Sequence, residues 1–132
     1  RYLEAESLGE LVDAVTIDVA FISLDKVLPA VHKLLKPTGF VIALVKPQFE
    51  AGKGKVGKKG VVRDPAVHEE VLQNFISLAK SLDFTIRNLT FSPVKGPEGN
   101  IEFLAHLSMQ PGEDSYLAPG DLVAQAHAAL KG

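Results

Sequence analysis

The sequence predicts an α/β domain whose sheet is largely parallel, with a final antiparallel strand. Three observations carry that expectation. Strand-like and helix-like segments alternate from residue 14 to residue 91, as βαβ units do. FVIALV at 40–45 is an unbroken apolar run between breakers, which suits a central strand covered on both faces. FTIRNLTF at 84–91 and IEFLAHL at 101–107 are joined by a single loop, which suits an antiparallel pair.

Each element has its own signal. Residues 4–12 read as a short helix or turn, and AVTIDV at 14–19 as the first strand. Leu24, Val27, Leu28, Val31, Leu34 and Leu35 recur at the spacing of one buried helix face. Pro29 falls inside that pattern, so the regular helix is expected to begin near Leu28. Pro37-Thr38-Gly39 then ends it, and FVIALV follows. EAGKGKVGKKGVVR at 50–63 holds four glycines and five basic residues and reads as a mobile loop. Asp64-Pro65 is a helix start, with Asp as cap and Pro at the first helical position. Val67, Val71, Leu72, Phe75, Leu78, Ala79 and Leu82 continue it as an apolar stripe. After the two last strands, 109–118 is polar and DLVAQAHAAL at 121–130 reads as a short helix.

Composition narrows the function classes. Apolar residues make up 46% and charged residues 23% of 132, ordinary for a soluble globular chain. A net charge of −2 exerts no global pull on nucleic acid or anionic membrane, so any such attraction is local. No cysteine is present, which excludes disulfides and thiolate metal sites and suits a cytoplasmic setting. The four histidines, His32, His68, His106 and His127, lack the close helical spacing of a zinc site, and no metal is expected. His32 and His68 are expected on helix surfaces.

Three charges stand out because they interrupt apolar strands: Asp18 in AVTIDVAF, Lys46 in FVIALVKPQF and Glu102 in GNIEFLAHL. A buried charge is costly unless paired or used. In a parallel sheet, ligands sit outside the carboxyl ends of the strands. Asp18 and Lys46 lie at those ends, and an antiparallel last strand would bring Glu102 to the same edge. Spacing alone leaves open a plain salt bridge between Lys46 and Glu102, and a capping role for Asp18.

IDVAFISL, LVKPQFEAGKGKVGKKGVVRDPAVHEEV and SPVKGPEGNIEFLAHL resemble the haemolysin A-type (TlyA) proteins, which group with the FtsJ-like RNA 2′-O-methyltransferases. The resemblance covers about residues 10–108. It implies the C-terminal half of a Rossmann-like, S-adenosylmethionine-dependent methyltransferase. On that reading 1–132 is a partial domain. The first strands, the cofactor loop and an S4-type RNA-binding domain would lie upstream, and the isolated chain would be inactive. The implied catalytic tetrad is Lys-Asp-Lys-Glu, with Asp18, Lys46 and Glu102 as three members and the first Lys outside this chain. Asp18, Val19 and Phe21 would face the cofactor. Ala20 departs from the family, which usually has Ser there.

The implied activity is 2′-O-methylation of ribosomal RNA, with ribosomal RNA or a ribosomal subunit as partner. Lys53, Lys55, Lys58, Lys59, Arg63, Lys95 and Asn100 are candidate substrate contacts; phosphate contacts by the basic segment would make binding strongly salt-dependent. Asn100 could instead fix its own turn. A different class of function is a non-catalytic RNA- or ribosome-binding module with the same fold. The haemolysin label would require membrane-spanning or strongly amphipathic segments, and the sequence shows none. A partial sheet would expose the edge of its first strand, which invites a homodimer.

Overall fold

The computed structural model describes residues 11–18, 24–50, 61–96 and 99–130. The elements in chain order are β1 (Val12–Ile17), α1 (Leu24–Leu34), β2 (Leu35–Val45), α2 (Pro47–Glu50), α3 (Pro65–Ser81), β3 (Thr85–Phe91), β4 (Phe103–Ser108) and α4 (Pro119–Ala129). They form a four-stranded sheet in the order β1-β2-β4-β3. β1 and β2 are parallel, and β4 is antiparallel to both β2 and β3. The antiparallel strand is thus inserted between β2 and β3 rather than added outside them. Its alternate residues Phe103, Ala105 and Leu107 are buried accordingly.

β2 occupies the interior position its apolar run suggests, but its two faces differ. Val41, Ala43 and Val45 are fully buried. Ile42 and Leu44 are half-buried, and Phe40 is exposed, its ring meeting His106 edge-on at 5.5 Å. One face is therefore sealed and the other only partly covered among the described residues. Pro37-Thr38-Gly39 does not separate helix from strand. It lies in an irregular start to β2, where the register jumps from Val12↔Leu35 to Ala14↔Phe40.

α1 begins at Leu24, four residues before the position Pro29 suggests. Its first amide, Leu24 N–H, donates to both carboxyl oxygens of Glu50 at 2.9 and 3.2 Å. An acceptor from another element does the work of a local cap, so the helix tolerates Pro29 in its second turn. α3 follows its sequence signal closely. Asp64 Oδ1 accepts from Ala66 N–H at 2.9 Å, and Pro65 opens the helix. At its other end Phe84 N–H donates to the Ala79 carbonyl and Asp83 N–H to that of Lys80, both at 3.0 Å. This doubled closure places Asp83 at φ 62°, in the left-handed region.

The core is a single cluster in which Leu24, Leu28 and Val31 of α1 and Leu72 and Phe75 of α3 pack with the sealed face of the sheet. α4 adds Leu122, Val123 and Ala126. The polar stretch before α4 is docked rather than free. Asp114 Oδ1 accepts from Ile86 N–H at 2.9 Å, Ser115 N–H donates to the Ile86 carbonyl at 2.7 Å, and Lys80 Nζ pairs with Asp114 Oδ2 at 2.6 Å. Ile86 thereby has both outer backbone groups satisfied, as a neighbouring strand would do. β1 has no strand partner on its outer edge among the described residues.

Candidate active site at the strand ends

Asp18 follows the last residue of β1, Lys46 follows the last residue of β2, and Glu102 precedes the first residue of β4. Because Val45 pairs with Phe103 in the antiparallel register, Lys46 and Glu102 lie at the same end of the sheet. β1 pairs with β2 as far as Ile17↔Ala43, which brings Asp18 there as well. The convergence expected from topology is present.

The contacts within it differ from a lysine held between two carboxylates. Lys46 Nζ lies 2.6 Å from Asp18 Oδ1, with the lysine side chain 14% exposed and the aspartate 63%. Glu102 is 7% exposed. Its Oε2 accepts from Gln48 Nε2 at 3.0 Å. The carboxylate rests against the Cα of Gly96, where a Cβ would overlap Glu102 Oε2, so that glycine is required by close approach. Asp18 engages the lysine, and a glutamine two residues beyond that lysine holds the glutamate.

The KPQFE segment, residues 46–50, organises all of this. Phe49 N–H and Glu50 N–H both donate to the Lys46 carbonyl, at 2.9 and 3.1 Å, forming the short α2 turn. From that turn Lys46 reaches Asp18, Gln48 reaches Glu102 and Glu50 reaches Leu24. Burial pushes the Glu50 carboxyl up to about 7, against the pull of the Leu24 amide and with a further push from Asp25. Gln48 Oε1 is buried with no hydrogen-bond partner among the described residues. Gln48 and Glu50 were not singled out in the sequence; polar residues at alternate positions just after a strand were the available signal.

The candidate substrate residues divide. Asn100 is 2% exposed, its Oδ1 accepts from Val62 N–H at 2.9 Å, and its carbonyl accepts from Gly96 N–H at 2.7 Å. It ties the loop before β4 to the segment before α3. Arg63 and Lys95 are exposed and line a cleft of about 270 Å³ together with His68, Gly99, Ile101 and His127. Val19, Phe21, Lys53, Lys55, Lys58 and Lys59, and with them the expected mobile loop at 51–60, lie outside the described residues.

His68 is not on a helix surface: it is fully buried. Its Nε2 lies 2.9 Å from the Val62 carbonyl and its Nδ1 2.8 Å from His127 Nε2. Burial holds its pKa below the ordinary imidazole value, against the opposing pull of the Val62 carbonyl. Its spacing to Leu72, Phe75 and Ala79 already places it on the buried stripe of α3. His32 is half-buried, edge-on to Phe84 at 5.2 Å. Among the described residues no group of three His, Asp or Glu is placed to hold a metal ion. No helix among them is long and apolar enough to cross a membrane.

A mixed sheet with an inserted antiparallel strand and charges at the strand ends defines a Rossmann-like α/β class. Within that class, the chain belongs to the FtsJ-like methyltransferases, whose family model matches residues 1–109. It is 48% identical over 121 residues to YqxC of Bacillus subtilis, assigned as an rRNA methyltransferase, covering 88% of this chain and 43% of that protein. It is 38% identical over 130 residues to the 16S/23S rRNA (cytidine-2′-O)-methyltransferase TlyA of Mycobacterium tuberculosis, covering 98% and 48%. A solved structure from Streptococcus thermophilus, assigned as a hemolysin, superposes with a TM-score of 0.88 at 43% identity, covering 98% of this chain and 48% of that one. The chain thus spans about half the length of the relatives it matches. α4 lies beyond the residues matched by the family model.

Proposed function

We propose that this chain carries the Asp-Lys-Glu part of an S-adenosylmethionine-dependent active site that methylates a ribose 2′-hydroxyl of ribosomal RNA. The relatives of known name support the reaction class. The carrying observation is the Asp18–Lys46 ion pair at 2.6 Å beside the buried Glu102, all at the strand ends. The chain spans about half the length of the relatives it matches, so methyl transfer is a property of the whole protein.

Methyl transfer to a hydroxyl needs an in-line approach, and most of the rate comes from positioning. An ammonium gripped by a carboxylate is a hydrogen-bond donor. Lys46 therefore orients the 2′-oxygen, and Asp18 fixes the lysine's direction. The hydroxyl must also lose its proton as the new C–O bond forms. Glu102, held by Gln48, is the carboxylate at the same edge that can accept it. S-adenosylmethionine supplies the methyl group. The 63%-exposed carboxylate of Asp18 suits the positive end of that cofactor. Lys46→Ala in the full-length protein should lower methyl transfer to ribosomal subunits by about 100-fold or more. Methylation as fast as wild type would remove Lys46 from this role.

A further inference from the structure

The cleft that Ile101, the sequence neighbour of Glu102, helps to line is built from four separate parts of the chain. Arg63 comes from the segment before α3, His68 from α3, Lys95, Gly99 and Ile101 from the loop before β4, and His127 from α4. Among the described residues its walls carry the cations Arg63 and Lys95 and two imidazoles, and no carboxylate. Asp64 acts on His68 from the start of α3, but its side chain is engaged by the Ala66 amide.

The hydrogen bonds fix where a proton can enter. A carbonyl oxygen only accepts, so His68 Nε2 carries a hydrogen toward Val62 O. Neutral His68 then offers Nδ1 as a bare acceptor, and His127 Nε2 donates to it. A second proton on His68 would set two N–H groups against each other. A second proton on His127 goes to Nδ1 and leaves every existing hydrogen bond intact. His127 is therefore the imidazole of this pair that can become a cation without disturbing the fold. Burial and the nearby Lys95 hold its pKa below the ordinary value, so it stays mostly neutral near neutral pH until an anion offsets both effects.

We propose that the cleft walled by Arg63, Lys95 and His127 is a subsite for a phosphodiester of the RNA substrate, and that His127 takes up a proton as the phosphate docks. That RNA supplies the phosphate rests on the function proposed above. Ile101 directly precedes Glu102, so a phosphate held here lies next to the ribose presented to the catalytic edge. The subsite also gives a role to α4, which lies outside the matched family range.

The test is an NMR titration of the histidines in the whole protein, with inorganic phosphate and with a short single-stranded oligouridylate. Either probe should raise the apparent pKa of His127 by about one unit. By reciprocity, each should bind about tenfold more tightly to the protonated form. His127→Gln keeps a donor toward His68 but cannot become charged, and should abolish the pH dependence of oligouridylate binding. Arg63→Gln, an exposed change that spares the core, should weaken the response of the native His127. A His127 titration unmoved by both probes would overturn the subsite. A response to phosphate that the oligonucleotide neither reproduces nor competes away would overturn RNA as the source. Methyl transfer is not read at any point, so an inactive enzyme would count against the proposed function and not against this cleft.

Discussion

The strand-end site and the histidine pair are both polar groups set into an apolar domain, and they are built in opposite ways. At the strand ends, the single turn Lys46–Glu50 sends three side chains to Asp18, Glu102 and Leu24. At the histidine pair, separate segments converge on one backbone position, Val62, whose amide is taken by Asn100 and whose carbonyl is taken by His68. The first arrangement gathers charges at the strand ends, with Asp18 exposed and Glu102 buried. The second buries His68 and joins α3 to the loop before β4, with the partly exposed His127 of α4 attached to it. Polar groups gathered at a sheet edge by one turn and polar groups that tie distant elements together thus sit in one domain.

The comparison can be broken most forcefully at His68. His68→Ala leaves the Val62 carbonyl unpaired and opens a cavity, which should lower stability by about 3 kcal/mol. Denaturant unfolding reads this directly. Lys46→Ala should cost less stability than His68→Ala, because an ion pair open to solvent contributes little, and an equal loss would erase the division between the two regions.

Glu50 is intermediate, a charge-bearing group used for cohesion. Its carboxyl titrates near 7 in the folded protein against 4.5 as its ordinary value. A raised acid pKa favours folding while the group is protonated. Its contribution is complete below about pH 4.5, declines as pH rises between the two values, and is gone above about 7. The swing should be about 2 kcal/mol after allowing for partial exposure. Glu50→Gln keeps an acceptor for Leu24 N–H and should flatten the stability–pH curve. An unchanged curve would place the titration elsewhere.

The smallest effect sharpens the comparison at Gln48. Gln48→Ala removes the hydrogen bond that holds Glu102, and kcat/KM should fall about tenfold, equivalent to about 1.4 kcal/mol. Stability should change less, because the same substitution removes the unpartnered Oε1. A loss of stability with full activity would move Gln48 into the cohesive group.

Much of this was legible in the chain because it took the form of local contrast. FVIALV announces an interior strand, Asp64-Pro65 announces a helix start, and Asp18, Lys46 and Glu102 stand out against apolar neighbours. What was hidden depends on partners distant in sequence. Pro29 argues for a late start to α1, and only the carboxylate of Glu50, 26 residues from Leu24, cancels that argument. The insertion of β4 between β2 and β3 is a choice among pairings that no single strand encodes. His68 blends into the helical stripe of α3, and its partner His127 is 59 positions away. Local propensity shows what a segment prefers, and tertiary partners decide where that preference is overruled.

Asp114 and Ser115, which satisfy the outer backbone of Ile86, give the sheet a direction. On the β3 side the chain supplies its own terminal neighbour, so growth there is capped. On the β1 side the hydrogen-bonding row of the described strand faces outward. Among the described residues, the side left open to a further strand is that of β1.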